Sequence, residues 1–167
     1  MIHYTVFKTV VGNLGLVRDD NNFLRVYLPN EDISKSILQN KYPNEDVIEN
    51  ESVFEDIIDQ LREYFVGNRK YFTIKTKLEI PQFYKKVLIE VAKVPYGQTA
   101  SYSQIAQKTN NPRAVRAVGS ANARNPFPII IPCHRIIANS GKLGGYRGGI
   151  KMKQYLLEFE TNNLTKH

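Results

Sequence analysis

Along the first thirty residues, apolar and β-branched positions come in short runs broken by turn residues. Tyr4–Val10 reads as a strand, Val11-Gly12-Asn13 as a turn and Leu14–Val17 as a second strand. Asp19-Asp20-Asn21-Asn22 turns the chain into a third strand, Phe23–Leu28, which Pro29 ends. From residue 51 the spacing becomes helical. Val53, Phe54, Ile57, Ile58, Leu61 and Phe65 predict an amphipathic helix over 51–66, stopped by Gly67-Asn68. Tyr71–Lys77 alternates like one more strand. The pattern changes again near Ile80-Pro81, where Phe83, Val87, Leu88 and Val91 predict a helix from about 81 to 93, ended by Pro95-Tyr96-Gly97.

These elements place a domain boundary at about 78–80. Residues 1–78 form an α/β scaffold domain, a β-meander plus a helix. Residues 79–167 form a mostly α domain. In the second part Ser101-Tyr102-Ser103-Gln104 has the form of a capping box and opens a short helix through Ile105, Ala106 and Lys108. Asn110-Asn111-Pro112 supplies a turn, with Asn111 suited to the N-cap and Pro112 to the first position of a helix over about 112–123. Val115, Val118 and Asn122 fall on one side of that helix. Arg113, Arg116, Ala117, Ser120 and Arg124 fall on the other. Two short helices with basic residues outward on the second describe a helix-turn-helix. The mix of Arg with Ala and Ser allows close approach to DNA, in the minor groove as well as the major.

Charge strengthens that picture. The net charge is +7, yet residues 1–80 carry ten Lys/Arg against thirteen Asp/Glu, while residues 81–167 carry thirteen against three. Between Val91 and Leu157 there is no acidic residue, and a half of one sign points to a polyanionic partner, most simply nucleic acid. No run approaches the eighteen or so apolar residues of a membrane span, and the N-terminus lacks the order of a signal peptide. A single cysteine excludes an internal disulfide. The only other histidines besides His134 are His3 and His167 at the chain ends, so no local zinc site is expected. The expectation is a soluble intracellular protein in a compartment that keeps its thiol reduced.

Candidate chemistry centres on Asn125-Pro126-Phe127-Pro128-Ile129-Ile130-Ile131-Pro132-Cys133-His134-Arg135. Ile129–Ile131 reads as a short buried strand, which Pro132 ends, leaving Cys133 where a rigid strand gives way to a turn. Gly141, Gly144-Gly145 and Gly148-Gly149 surround Tyr146-Arg147 in a loop whose backbone could approach a flat ligand. By composition alone a lone cysteine is a buried, inert small hydrophobe.

Ile-Pro-Cys-His-Arg-Ile-Ile resembles the active-site signature of the O6-alkylguanine-DNA alkyltransferases. The similarity runs from Phe83 to Glu160 through Val-Pro-Tyr-Gly-Gln-Thr, Ser-Tyr-Ser-Gln-Ile-Ala, Asn-Pro-Arg-Ala-Val-Arg-Ala-Val-Gly and Gly-Gly-Tyr-Arg-Gly-Gly. The resemblance implies direct-reversal DNA repair. It implies that an alkyl group would pass irreversibly from guanine O6, and also from O4-alkylthymine, to Cys133, without cofactor or metal. It further implies that His134, Glu160 and a water relay the thiol proton and that Asn125 braces the segment. Arg116 would fill the space left by a flipped nucleotide. Tyr102 would rotate the phosphate and hydrogen-bond guanine N3, and Tyr146 would wall the base pocket. The main chain at Cys133, Ile136 and Arg147 would read the base edges. Arg113, Ala117 and Ser120 would meet double-stranded DNA in its minor groove.

This chain departs from some relatives in three ways. Asn122 stands where some have an apolar pocket residue, Arg147 replaces the small residue of vertebrate members, and the zinc ligands of some animal members are missing. The expected protein is a monomer, cytoplasmic, or nuclear in a eukaryote. Three competing classes are a non-catalytic alkyltransferase-like damage binder, a thiol hydrolase and a plain helix-turn-helix regulator. The first lacks the reactive cysteine, the second leaves the DNA-binding half unexplained, and the third leaves the cysteine segment without a purpose.

Overall fold

The computed structural model describes residues 1–164; His167 lies outside the described residues. The chain divides into two compact units, Met1–Leu78 and Glu79–His167.

In the first unit the meander forms as expected. β1 (Ile2–Thr9) pairs antiparallel with β2 (Gly12–Asp19), and β2 with β3 (Phe23–Tyr27). The Asp19 carboxylate accepts the backbone N–H groups of Asn21 and Asn22, which fixes the second turn. Two elements were not foreseen. α1 (Lys35–Lys41) is capped by Ser34, and β4 (Val47–Glu49) joins β1 in parallel, giving the order β3-β2-β1-β4. Ile2, Tyr4, Val17 and Tyr27 form one core with Leu38 of α1 and Val47 of β4. The expected 51–66 helix starts as a 3-10 turn (Glu51–Phe54) and continues as α2 (Glu55–Phe65). Its Arg62 lies over the Phe7 ring, on the sheet face opposite Ile2 and Tyr4.

Tyr71–Lys77 is extended but is not a strand. It makes one bridge, Thr76 to Phe23, with Lys77 N–H donating to the Phe23 carbonyl at 3.2 Å. Its alternation is real, since 71–78 alternates between exposed and half-buried, but one face packs without a ladder.

The second unit gathers α3 (Gln82–Ala92), α4 (Tyr102–Lys108), α5 (Val115–Ala123) and α6 (Ile150–Leu164). A short parallel pair, β5 (Ala100–Ser101) and β6 (Ile136–Ile137), ties in the segment after the cysteine. Val87, Leu88, Val91, Ile105, Val118, Phe127, Ile136 and Leu156 are buried. The Ser101 capping box is present in full. α4 ends with Asn110 at φ 59°, with Asn111 N–H bonded to the Ala106 carbonyl and Asn110 N–H to that of Gln107. This Schellman closure uses an asparagine in the left-handed region.

The helix-turn-helix stands, with one correction. The second helix begins at Val115 rather than Pro112. Ala114 N–H bonds back to the Asn111 carbonyl, so Pro112 and Arg113 belong to a separate turn and the connection is six residues long.

Candidate active site

The segment leading to the cysteine is folded back on itself by Asn125. Its amide donates to the Ile131 carbonyl at 2.8 Å and accepts the Phe127 N–H at 2.9 Å, wholly buried. Ile131 N–H also bonds the Phe127 carbonyl at 2.8 Å. The expected strand at Ile129–Ile131 is therefore a tight turn, with Ile129 held at φ 74°. A β-branched residue adopts that backbone only where its surroundings impose it, here through the two Asn125 bonds. Cys133 opens a 3-10 turn, Cys133–Arg135, rather than following a strand. Over those three residues the side chains diverge, Cys133 to a cavity and both His134 and Arg135 to Glu160.

Glu160 comes from α6 and is fully buried. His134 Nε2 lies 2.7 Å from its Oε2. Arg135 donates from Nε to Oε1 at 2.7 Å and from Nη2 to Oε2 at 3.0 Å, and Gly97 N–H donates to Oε1 at 3.2 Å. Gly97 sits at φ +75°, and a Cβ there would collide with Leu164, so glycine alone lets this N–H reach the carboxylate. Burial works to raise the Glu160 pKa, but the hydrogen bonds from His134 and Arg135 and the guanidinium charge of Arg135 outweigh it and hold the carboxyl well below its usual range. Burial lowers the His134 pKa against the pull of Glu160, so the ring is neutral. An ionised carboxylate only accepts, so Nε2 carries the proton and donates it to Glu160. Nδ1 is then a buried lone pair with no partner among the described residues.

The Cys133 thiol, 6% exposed, lines a cavity of about 430 Å³ with Tyr102, Gly119, Asn122, Ala123, Gly145, Tyr146 and Arg147. That size suits a single base or similar small ligand. Burial pushes the thiol pKa up, while Asn125 and the charges of Arg147 and Lys153 oppose the rise. Arg147 reaches back to the end of α5, donating from Nη1 to the carbonyls of Ala123 (3.0 Å) and Asn125 (2.8 Å). This joins the glycine-rich loop to the helix that carries the opposite wall. Gly144 lies against Tyr102, whose hydroxyl would sit 2.9 Å from an added Cβ.

Of the residues singled out in the sequence, Cys133, Tyr102, Asn122, Tyr146 and Arg147 share the cavity. His134 and Glu160 pair within the protein, and Asn125 braces the turn. Ile136 is buried in β6. Arg113 and Arg116 are exposed, Ala117 and Ser120 half-buried, and none of the four lines the cavity. Two contributors were missed. Arg135, besides holding Glu160, donates to the Val94 carbonyl at 2.8 Å. Lys153 is fully buried, and its Nζ donates to the carbonyls of Ile136 (2.6 Å) and Gly145 (3.1 Å), 5.9 Å from the Tyr102 ring centroid. Burial lowers its pKa to about 8, against the pull of Cys133.

Two family models match the chain. "6-O-methylguanine DNA methyltransferase, ribonuclease-like domain" covers residues 2–78, and "6-O-methylguanine DNA methyltransferase, DNA binding domain" covers 82–162. The methylated-DNA–protein-cysteine methyltransferase of Methanosarcina mazei is 38% identical over 98% of this chain and 99% of its own. The constitutive enzyme of Bacillus subtilis is 37% identical over 96% of each. The crystal structure of Mycobacterium tuberculosis O6-methylguanine methyltransferase superposes with a TM-score of 0.87 at 34% identity, covering 100% of this chain and 97% of that one. The same protein in complex with DNA gives 0.85 at 35% identity, covering 96% and 94%. A lone thiol in a base-sized cavity, backed by a buried histidine–glutamate pair and carried by a chain that matches along both units, makes this protein a member of the methylated-DNA–protein-cysteine methyltransferase family.

Proposed function

We propose that Cys133 takes the alkyl group from O6-alkylguanine, and from O4-alkylthymine, in double-stranded DNA, once per molecule. The Cys133 Sγ–carbon bond forms as the O6–carbon bond breaks. The electron pair goes to O6, and guanine takes up one proton to regain its keto form. The observation that carries this reading is the buried His134–Glu160 pair at the residue following the only cysteine, with Nε2 committed to Glu160 and Nδ1 without a partner among the described residues. Nδ1 accepts the thiol proton through a water, and Glu160 stabilises the imidazolium that results. Burial favours the neutral thiol, so proton removal has to be coupled to attack rather than precede it.

A base within a duplex hides its O6 substituent, so the nucleotide flips into the cavity, between Tyr102 and Tyr146, at a cost of a few kcal/mol. Exposed Arg116 fills the vacated stack. Arg113, Ala117 and Ser120 meet the minor groove, where the half-buried small residues of α5 let the backbone come close. The first unit serves as scaffold and the second binds DNA and accepts the alkyl group. Every residue of the site comes from one unit of one chain, which supports action as a monomer. The unpaired thiol fits a reducing compartment such as the cytoplasm. No described helix is long and apolar enough to cross a membrane.

The test uses duplex DNA bearing labelled O6-methylguanine. Label should appear on the protein at no more than one methyl per chain, on Cys133, and not at all with Cys133→Ala. Catalytic turnover, or label on another residue, would rule the mechanism out. Damage binding without transfer is the competing outcome, and the presence of Cys133 in the cavity argues against it.

A further inference from the structure

Asn122 lines the cavity, and the proposed reaction leaves its amide unused. It lies on the inward side of α5, is 9% exposed, and neither its Oδ1 nor its Nδ2 finds a partner among the described residues. Asn125, three residues on and fully buried, spends both amide atoms on the backbone. The α5 backbone does not need the Asn122 amide either, because its end is closed by Arg124 N–H bonds to Ser120 and Ala121. A buried amide with nothing to bond is destabilising, so an apolar residue would serve the fold better. Gly119, one turn earlier on the same face, leaves open space, with nothing within 4 Å of an added Cβ. The wall beside the thiol therefore combines room for more than a methyl group with an amide waiting for a partner.

We infer that Asn122 is a hydrogen-bonding subsite for the tail of the alkyl group, selecting O6 substituents that end in a hydroxyl, such as 2-hydroxyethyl, over apolar ones of equal size. This rests on the alkyl-transfer reading above. The carbon bonded to O6 is transferred as before, and the hydroxyl is neither consumed nor charged. It donates to Oδ1 or accepts from Nδ2, whereas a propyl group fills the same volume and leaves both amide atoms unpaired. A methyl group carries no polar atom that could bond either.

The test is the single-turnover rate with duplexes carrying O6-methyl-, O6-(2-hydroxyethyl)- or O6-propylguanine. The protein should take hydroxyethyl over propyl by about tenfold or more, the equivalent of one neutral hydrogen bond. Asn122→Leu should bring that ratio to about one, and Asn122→Ala does the same job should the leucine variant not fold. Any general loss of rate cancels in the ratio. An unchanged ratio in both variants, or no preference in the original protein while methyl is transferred, would overturn the inference and leave alkyl transfer standing. Absence of methyl transfer itself would overturn both.

Discussion

His134 and Glu160 meet at 2.7 Å, Nε2 to Oε2, with both side chains fully shut off from solvent. The contact fixes the tautomer of the ring and leaves Nδ1 with its lone pair free, the nitrogen proposed as the base. Glu160→Gln keeps the shape but removes the anion, so Nε2–H loses its charged acceptor and the imidazolium its counter-charge. Alkyl transfer should slow by roughly a hundredfold or more. Arg135 would also be left buried without its carboxylate, which costs about 3–5 kcal/mol of stability. Rapid-quench transfer assays and urea denaturation of the same variant would check both. A normal rate would remove Glu160 from the mechanism.

The same pair sets the response to acid. His134 has its pKa lowered by burial from an ordinary 6.5, so below that pH the unfolded chain takes up a proton that the folded one refuses. Glu160 is held below its ordinary 4.5, so the stability it contributes is present above that value and lost as pH falls further. Both effects have one sign. The urea midpoint should fall from pH 7 to 5.5 and more steeply to 4, and Glu160→Gln should flatten the lower part of the curve. A flat profile in the unaltered protein would contradict the assigned protonation states.

Much of the scaffold was legible because it follows from local chemistry. Asp19 turns the chain, Ser101 and Gln104 start α4, and the spacing of Ile57, Ile58 and Leu61 marks α2. Features missed or misread depend on partners far away in sequence. Val47–Glu49 is a strand only because β1 lies beside it. Ile129–Ile131 looks like a strand by composition and is bent into a turn by an asparagine amide that reaches across six residues. At the site, Cys133 and Asn125 stand out in a proline-bounded run. Nothing in the local pattern sets Glu160 apart from other helical acids, and the family resemblance alone assigns it. Lys153 was passed over for a related reason. A lysine in a helix normally faces water, and the carbonyls that hold this one inside belong to β6 and the glycine-rich loop.

Lys153 ties those two segments together and sets a positive charge near the thiol, so it acts both on loop position and on thiolate stability. Lys153→Met should raise the thiol pKa further. The pH–rate profile for transfer from a free base would move towards alkaline pH by about one unit. A second readout separates charge from packing. The folded pKa of about 8 lies below the ordinary 10.5, so the cost of burying the ammonium is full below pH 8 and is relieved as pH rises towards 10.5. The unaltered protein should therefore gain stability relative to Lys153→Met between pH 8 and 10. A variant with unshifted pH–rate profile and parallel stability curves would reduce Lys153 to a packing element.

Arg116 stands exposed on α5, outside the cavity that holds Cys133. Its proposed work is confined to the duplex, where it occupies the stack while the nucleotide is out. A free base such as O6-benzylguanine needs no flipping. Arg116→Ala should accordingly slow reaction with duplex DNA about tenfold or more beyond any effect on the free base, because unstacking costs a few kcal/mol. Salt gives an independent check. Binding of intact duplex should weaken steadily with ionic strength, as Lys and Arg contacts release counterions, and the slope should be shallower by about one for the variant if Arg116 also neutralises a phosphate. Equal slowing of duplex and free base would refute the flipping role, since only the duplex presents a stack to fill.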